Sequence, residues 1–215
     1  MKTVSLKDAA ALIPDGASVM IGGFMGVGTP ERLVDELVRQ GKRNLTIIAN
    51  DNALPGVGIG KLISAGAVRK TIASHIGLNP ETQRKMLSAE LEVELVPQGT
   101  LIERIRAGGV GLGGVLTPTG VGTVVEEGKR RLEVEGKPYL LETALRADFA
   151  LVQAFLADYI GNLYYALTGR NFNPVIAMAA DTVIVEADHI VPVGVIAPDN
   201  VVTPAPVVDY IVSHA

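Results

Sequence analysis

Apolar positions in this chain come in short blocks whose period keeps changing. Ser18-Val19-Met20-Ile21 is a brief apolar run, and Leu45 to Ala49 is apolar throughout except for Thr46. With Thr71 to Ile76, Phe149 to Ala154 and Thr182 to Val185, these blocks predict buried strands. Between them the period lengthens. Leu33, Val34, Leu37 and Val38 recur at helical spacing within Glu31 to Gln40. Thr29 suits the N-cap of that helix, Pro30 its first position and Gly41 its stop. Ser5 caps an earlier helix through Ile13, with Asp8 at the reciprocal position. Further helices are predicted over Gly58 to Ala65, from Asn79-Pro80-Glu81 to about Ala89, over Thr100 to Ala107, and over Val207 to Val212 at the C-terminus. Leu91 to Val96 alternates apolar with acidic residues, which predicts a strand with one less buried face. Leu132 to Leu141, broken at Gly136-Lys137-Pro138, predicts a hairpin. The sum is an α/β chain: an open, mainly parallel sheet with helices on both faces, in one domain over 1–215.

The block after Ile21 carries the strongest sign of a site. Gly22-Gly23-Phe24-Met25-Gly26-Val27-Gly28 places four glycines between a strand and the start of a helix. Backbone without Cβ lets a ligand approach closely, and free N–H groups at a helix start favour an anion. Three readings fit: a tight turn with no ligand, a dinucleotide loop, or a loop that holds an acyl-thioester or its coenzyme. The dinucleotide reading needs G-x-G-x-x-G, and this loop reads G-G-x-x-G-x-G. Asp51, after the second strand, is the acidic residue that reading would use.

Composition narrows the classes. Net charge is −4 from 19 basic and 23 acidic residues, with no block of one sign, so nothing points to nucleic acid or an anionic membrane. The chain has no cysteine, which excludes thiol nucleophiles, disulfides and thiolate metal sites. Met1 to Asp15 lacks the apolar run of a signal peptide, and no stretch nears the roughly 20 apolar residues of a membrane span. The expectation is a soluble cytoplasmic protein.

Familiar catalytic constellations are weak. His214 is expected to be solvated and His189 to lie on a surface turn. His75, at the end of a strand, is either a hydrogen-bonded structural residue or a catalytic one. No histidine pair has metal-ligand spacing, and there is no G-x-S-x-G elbow. Glu92 and Glu94, like Glu133 and Glu135, alternate along strands as solvent faces. Gly108 to Gly114 holds five glycines in seven residues and is read as the wall of a cleft. Asn50 closes the second strand and Gln98 follows the fourth. Ligands collect beyond the carboxyl ends of strands in open α/β sheets, where such amides can donate to a carbonyl oxygen gaining charge. The alternative for each is a side chain that pins its own loop.

Gly22-Gly23-Phe24, with Gly28 and Pro30, resembles the coenzyme A-transferase signature G-G-F-x-x-x-G-x-P. The likeness continues through Ser74-His75-Ile76-Gly77, Pro97-Gln98-Gly99-Thr100-Leu101, Thr117-Pro118-Thr119-Gly120-Val121-Gly122-Thr123 and Gly169-Arg170-Asn171-Phe172-Asn173, covering essentially the whole chain. It is to the A (alpha) subunit of the two-subunit 3-oxoacid and acetate type, nearest the acetate and acetoacetate enzymes. The resemblance implies transfer of coenzyme A between short-chain acids of the acetate, acetoacetate or butyrate type, through an acyl-glutamyl anhydride and a glutamyl-CoA thioester. The family's nucleophilic glutamate lies in a Ser-Glu-Asn-Gly motif of the B subunit, and no glutamate here, from Glu31 to Glu186, is followed by Asn-Gly. The resemblance further implies that Gly22, Gly23, Phe24, Met25, Gly26, Val27 and Gly28 contact coenzyme A, that Gln98 stabilises the oxyanion, and that Asn50 faces substrate. It implies no metal or cofactor, coenzyme A being a substrate. The implied partner is a B (beta) subunit in an A₂B₂ heterotetramer, and the chain alone is expected to self-associate. A non-catalytic, coenzyme A-binding or regulatory subunit is the alternative.

Overall fold

The computed structural model describes residues 2–213. In chain order, the first half contains β1 (Lys2–Val4), α1 (Leu6–Ala11), β2 (Ser18–Ile21), α2 (Glu31–Arg39), β3 (Leu45–Asp51), α3 (Ile59–Ser64), β4 (Val68–His75), α4 (Pro80–Leu87), β5 (Glu92–Leu95) and α5 (Gln98–Gly109). The second half contains β6 (Gly114–Thr117), β7 (Arg131–Val134), β8 (Lys137–Thr143), β9 (Ala147–Asp158), β10 (Leu163–Tyr164), α6 (Asn173–Ile176), β11 (Ala180–Val191) and β12 (Tyr210–Val212).

The main sheet runs β1-β12-β11-β9-β2-β3-β4-β5, and every neighbouring pair along it is parallel. Only β10 runs antiparallel, beside β9. Successive residues of β2 serve opposite faces, as the twofold repeat of a strand requires. Val19 and Ile21 pack with Leu33, Val34 and Leu37 of α2 and Leu62 of α3. Met20 faces the other way, among Leu101 and Ile105 of α5 and Ile176 of α6. Both faces are therefore covered, as the sequence predicts. A separate antiparallel sheet, β6-β8-β7, carries the predicted hairpin. Its turn, Glu135-Gly136, has φ of +51° and +73°, the backbone of a two-residue type I′ turn.

The topology locates the ligand edge. The connection from β2 to β3 passes through α2 on one face, and that from β9 to β11 passes through α6 on the other. Adjacent strands β2 and β9 thus send their chains apart, which opens a crevice beyond the carboxyl end of β2, alongside β9, which runs on to Asp158. The glycine loop leaves β2 at that crevice.

Several elements differ from expectation. The predicted C-terminal helix is β12, where Tyr210, Ile211 and Val212 pair with β1 and β11. A slot between two parallel neighbours suits β-branched residues better than a helix does. Helix α5 starts at Gln98, two residues earlier than expected, with Pro97 before its first turn. Thr29 does not cap α2. Pro30 holds the N-cap position and supplies no side-chain bond. His189 lies within β11 rather than on a turn, its ring edge-on to Phe155 with centroids 5.4 Å apart. Glu94 pairs with Lys70 at 3.1 Å and Arg104 at 3.3 Å rather than facing solvent unpartnered. The Gly108 to Gly114 run joins α5 to β6, and a Cβ on Gly108 would lie 2.3 Å from the Leu145 carbonyl oxygen. It is packed at its two ends, where a Cβ on Gly114 would lie 2.4 Å from the Glu142 carbonyl oxygen, exposed from Val110 to Gly113, and outside the cleft described below. His214 lies outside the described residues.

Candidate active site

The glycine loop folds into a miniature hairpin. Phe24 and Val27 exchange two backbone hydrogen bonds of 3.0 Å, with Met25 (φ +52°) and Gly26 (φ +90°) at the tip. Positive φ at both tip residues is the type I′ requirement. Gly26 meets it without strain, and a Cβ there would also lie 2.7 Å from Val57 Cγ1. The stems are clamped by close backbone approach. A Cβ on Gly22 would lie 1.8 Å from Asn173 Oδ1, and one on Gly28 2.8 Å from the Gly169 carbonyl oxygen.

Two asparagines of the Gly169-to-Asn173 segment make the clamp. Asn171 Oδ1 accepts from the Gly23 N–H at 3.1 Å, and its Nδ2 donates to the Val27 carbonyl at 2.9 Å. Asn173, fully buried, donates from Nδ2 to the carbonyls of Gly28 (2.9 Å) and Gly169 (2.8 Å) and accepts the Gln153 N–H at 3.0 Å. The motif was visible in the sequence. The role of its asparagines was not, because it acts across more than 140 residues of chain.

The tip of the hairpin overhangs a cleft of about 350 Å³ lined by Phe24, Met25, Asn50, Asp51, Ser74, His75, Leu78 and Gln98. Three strands and a helix start converge there. Gln98, the first residue of α5, is exposed, and its Nε2 donates to Asn50 Oδ1 at 2.8 Å. That bond uses one of its two amide protons. Asn50 lies in the floor of the cleft at 2 % exposure, and its Nδ2 donates to Asp51 Oδ2 at 2.6 Å. Its amide is thus committed on both sides, and it stands behind Gln98 as a support. Ser74 Oγ donates to the Asn50 carbonyl at 2.7 Å. Asp51 accepts from the N–H groups of Met25 (3.0 Å) and Ala53 (2.7 Å) as well. His75 makes no side-chain hydrogen bond among the described residues; its ring lies over Gly77, where a Cβ would be 2.7 Å from Cε1.

A family model described as Coenzyme A transferase matches residues 3–214. The chain belongs to the coenzyme A transferase family. It is 59% identical over 98% of its length, and 96% of the relative's, to a protein of Escherichia coli named acetate CoA-transferase subunit alpha. It is 51% identical over 99% of its length, and 98% of the relative's, to the acetoacetyl-CoA:acetate/butyrate CoA transferase alpha subunit of Clostridium acetobutylicum. The solved acyl-CoA transferase YdiF of E. coli O157:H7, in a thioester complex with CoA, superposes with a TM-score of 0.87 at 24% identity, over 98% of this chain and 46% of that one. This chain therefore spans a little under half of the solved transferase and shares its fold.

The cleft contains one carboxylate, Asp51, and three donors already bond to its two oxygens. Among the described residues, no group of three or more His, Cys, Asp or Glu is placed to hold a metal ion. Among the described residues, no helix is long and apolar enough to cross a membrane. The cleft offers an uncharged donor and apolar side chains, and the N–H groups of Gly22, Gly23, Phe24, Met25 and Val27 in the hairpin are already bonded within the chain. Phe24, Met25 and Val27 are each more than two-fifths exposed at the hairpin.

Proposed function

We propose that this chain is the alpha subunit of a two-subunit enzyme that moves coenzyme A between short-chain carboxylic acids of the acetate, acetoacetate and butyrate class. The observation that carries the reading is the convergence of the glycine hairpin and the Gln98 amide on one cleft whose own carboxylate already accepts three hydrogen bonds. Acyl exchange needs a nucleophile and an oxyanion donor. The cleft offers the donor, and its one carboxylate already accepts three hydrogen bonds, which supports a beta partner that brings a glutamate to the cleft. The two relatives above are themselves named alpha subunits.

In this reading the partner's carboxylate attacks the thioester carbonyl of the acyl-CoA. The carbonyl oxygen gains charge and the second Nε2 proton of Gln98 turns to it. The thiolate leaves, forming an acyl-glutamyl anhydride, then attacks the glutamyl carbonyl and releases the first acid. The second acid reverses these steps. Residues Gly22 to Gly28 lie along the thioester and coenzyme arm, and coenzyme A enters as a substrate rather than a resident cofactor. The reading places the A₂B₂ enzyme in the cytoplasm.

The test is co-expression with the beta subunit and an assay of transfer from acetyl-CoA to acetoacetate, butyrate, succinate and 3-oxoadipate. Transfer by the complex and none by this chain alone is the expected result. Binding of acyl-CoA without transfer in the assembled complex would favour a regulatory subunit.

A further inference from the structure

We propose that Asp51 is a positioning residue that decides which way the Gln98 amide points, acting through Asn50. This rests on the transferase reading above. The two ends of a side-chain amide have nearly the same shape, so hydrogen-bond polarity alone separates its two flipped states. The polarity here can be traced to one fixed end. The backbone N–H groups of Met25 and Ala53 can only donate, and both point at Asp51. Asp51 answers with an acceptor-only carboxylate. Its remaining contact, 2.6 Å from Asn50, must then receive the Nδ2 end of that amide. Asn50 is buried, so no water can compensate a reversed orientation, and its Oδ1 is turned toward Gln98. Gln98 must therefore present Nε2, which leaves one proton for the cleft.

The same carboxylate holds the N–H of Met25, at the hairpin tip. One side chain thus sets both the seat of the glycine loop and the direction of the amide beside it. Asp51→Leu keeps much of the side chain's volume and removes the acceptor. The Asn50 NH₂ then loses its fixed partner, and nothing decides which end of that amide turns to Gln98. When Asn50 flips, Gln98 follows and offers an oxygen where a donor is needed. Asp51→Asn is the milder change: its amide oxygen takes the place of Oδ2, which holds both the Met25 N–H and the Asn50 NH₂, and its NH₂ then opposes only the Ala53 N–H.

Three measurements on wild type, Asp51→Leu, Gln98→Ala and the double variant test this. In the complex with the beta subunit, Asp51→Leu should lower kcat by roughly ten- to a hundredfold. Adding it to Gln98→Ala should lower kcat far less than it lowers that of wild type, because its effect on the amide passes through Gln98. In the isotope-labelled chain, NMR should find one Gln98 Nε2 proton protected from exchange in wild type and neither in Asp51→Leu. That readout needs no turnover, so it stands apart from wild-type CoA transfer, which tests the transferase reading. As a further arm, Asp51→Asn returns an acceptor to Asn50 and should restore the protection of Gln98 and raise kcat above that of Asp51→Leu. Multiplying losses, unchanged Gln98 protection in Asp51→Leu, or no restoration by Asp51→Asn would overturn the proposal in favour of a purely structural role.

Discussion

The carboxylate of Glu186 accepts the backbone N–H of Leu33 at 2.8 Å, and that of Arg32 at 3.2 Å, from 153 and 154 residues away in sequence. These are orphan donors in the first turn of α2, which Pro30 leaves without a side-chain cap. A strand on the far side of β9 thus supplies the cap that Thr29 does not. The consequence reaches the site, because α2 begins where the glycine loop ends. Asn171 and Asn173 hold the stems of the loop, Asp51 holds its tip and Glu186 holds the helix it feeds.

Burial pushes the Glu186 carboxyl above the ordinary glutamate range, and the N–H groups of Leu33 and Arg32 offset only part of that. An acid whose folded pKa is raised binds its proton more tightly when folded. Its contribution to stability is complete below the unfolded value of 4.5 and is lost as pH rises through the folded value. Glu186→Gln removes the titration. The melting temperature of wild type minus that of the variant should therefore fall as pH is raised from about 4 to 8, read by thermal unfolding. A difference that grows with pH would show that the helix N–H groups and Arg32 outweigh burial.

Asn173→Ala tests the clamp on the glycine loop. The substitution strands the Gln153 N–H and the carbonyls of Gly28 and Gly169, all half-buried. One buried group left unpaired costs about 1–3 kcal/mol. The expected outcome is a loss on the order of 3 kcal/mol in chemical denaturation, with weaker assembly with the beta subunit. Full stability with normal turnover would mean that the Gly22–Asn173 contact is incidental.

What the sequence reveals depends on the range of the interaction. Strands β2, β3, β4 and β9 were legible because burial on both faces leaves continuous apolar runs. The hairpin at Glu135-Gly136 and the Ser5 and Asn79 caps were legible because turn and cap chemistry acts within four residues. The last of these is seen in the Thr82 N–H, 3.1 Å from Asn79 Oδ1. β12 was misread because three residues carry no period, and only the slot between β1 and β11 decides their state. Gln98 and Asn50 were picked out one at a time. That they form a pair, with Asp51 behind them, depends on β3 and β5 ending at one edge across β4. The sequence offers Asp51 only as the acidic residue of a dinucleotide loop, whereas its partners in the fold are the Met25 and Ala53 N–H groups and the Asn50 amide.

Gln98→Ala separates chemistry from architecture. The side chain is exposed and, among the described residues, makes a single hydrogen bond, to Asn50, so its loss should leave folding and assembly intact. Its proposed partner, the carbonyl oxygen of the thioester, becomes a strong acceptor only as the tetrahedral intermediate forms. An interaction made mainly in the transition state lowers kcat and leaves KM nearly unchanged when it is removed. Loss of one oxyanion donor costs about 3–4 kcal/mol in other enzymes, or roughly a hundred- to a thousandfold in rate. The complex carrying Gln98→Ala should show that drop in kcat, with the KM for acyl-CoA within about threefold of wild type. Gln98→Glu keeps the shape and loses the donor, and its carboxylate would also repel the oxyanion, so it should be at least as slow. If either variant assembles normally and keeps most of its turnover, the donor must be sought in the backbone N–H groups of the glycine hairpin or in the beta subunit.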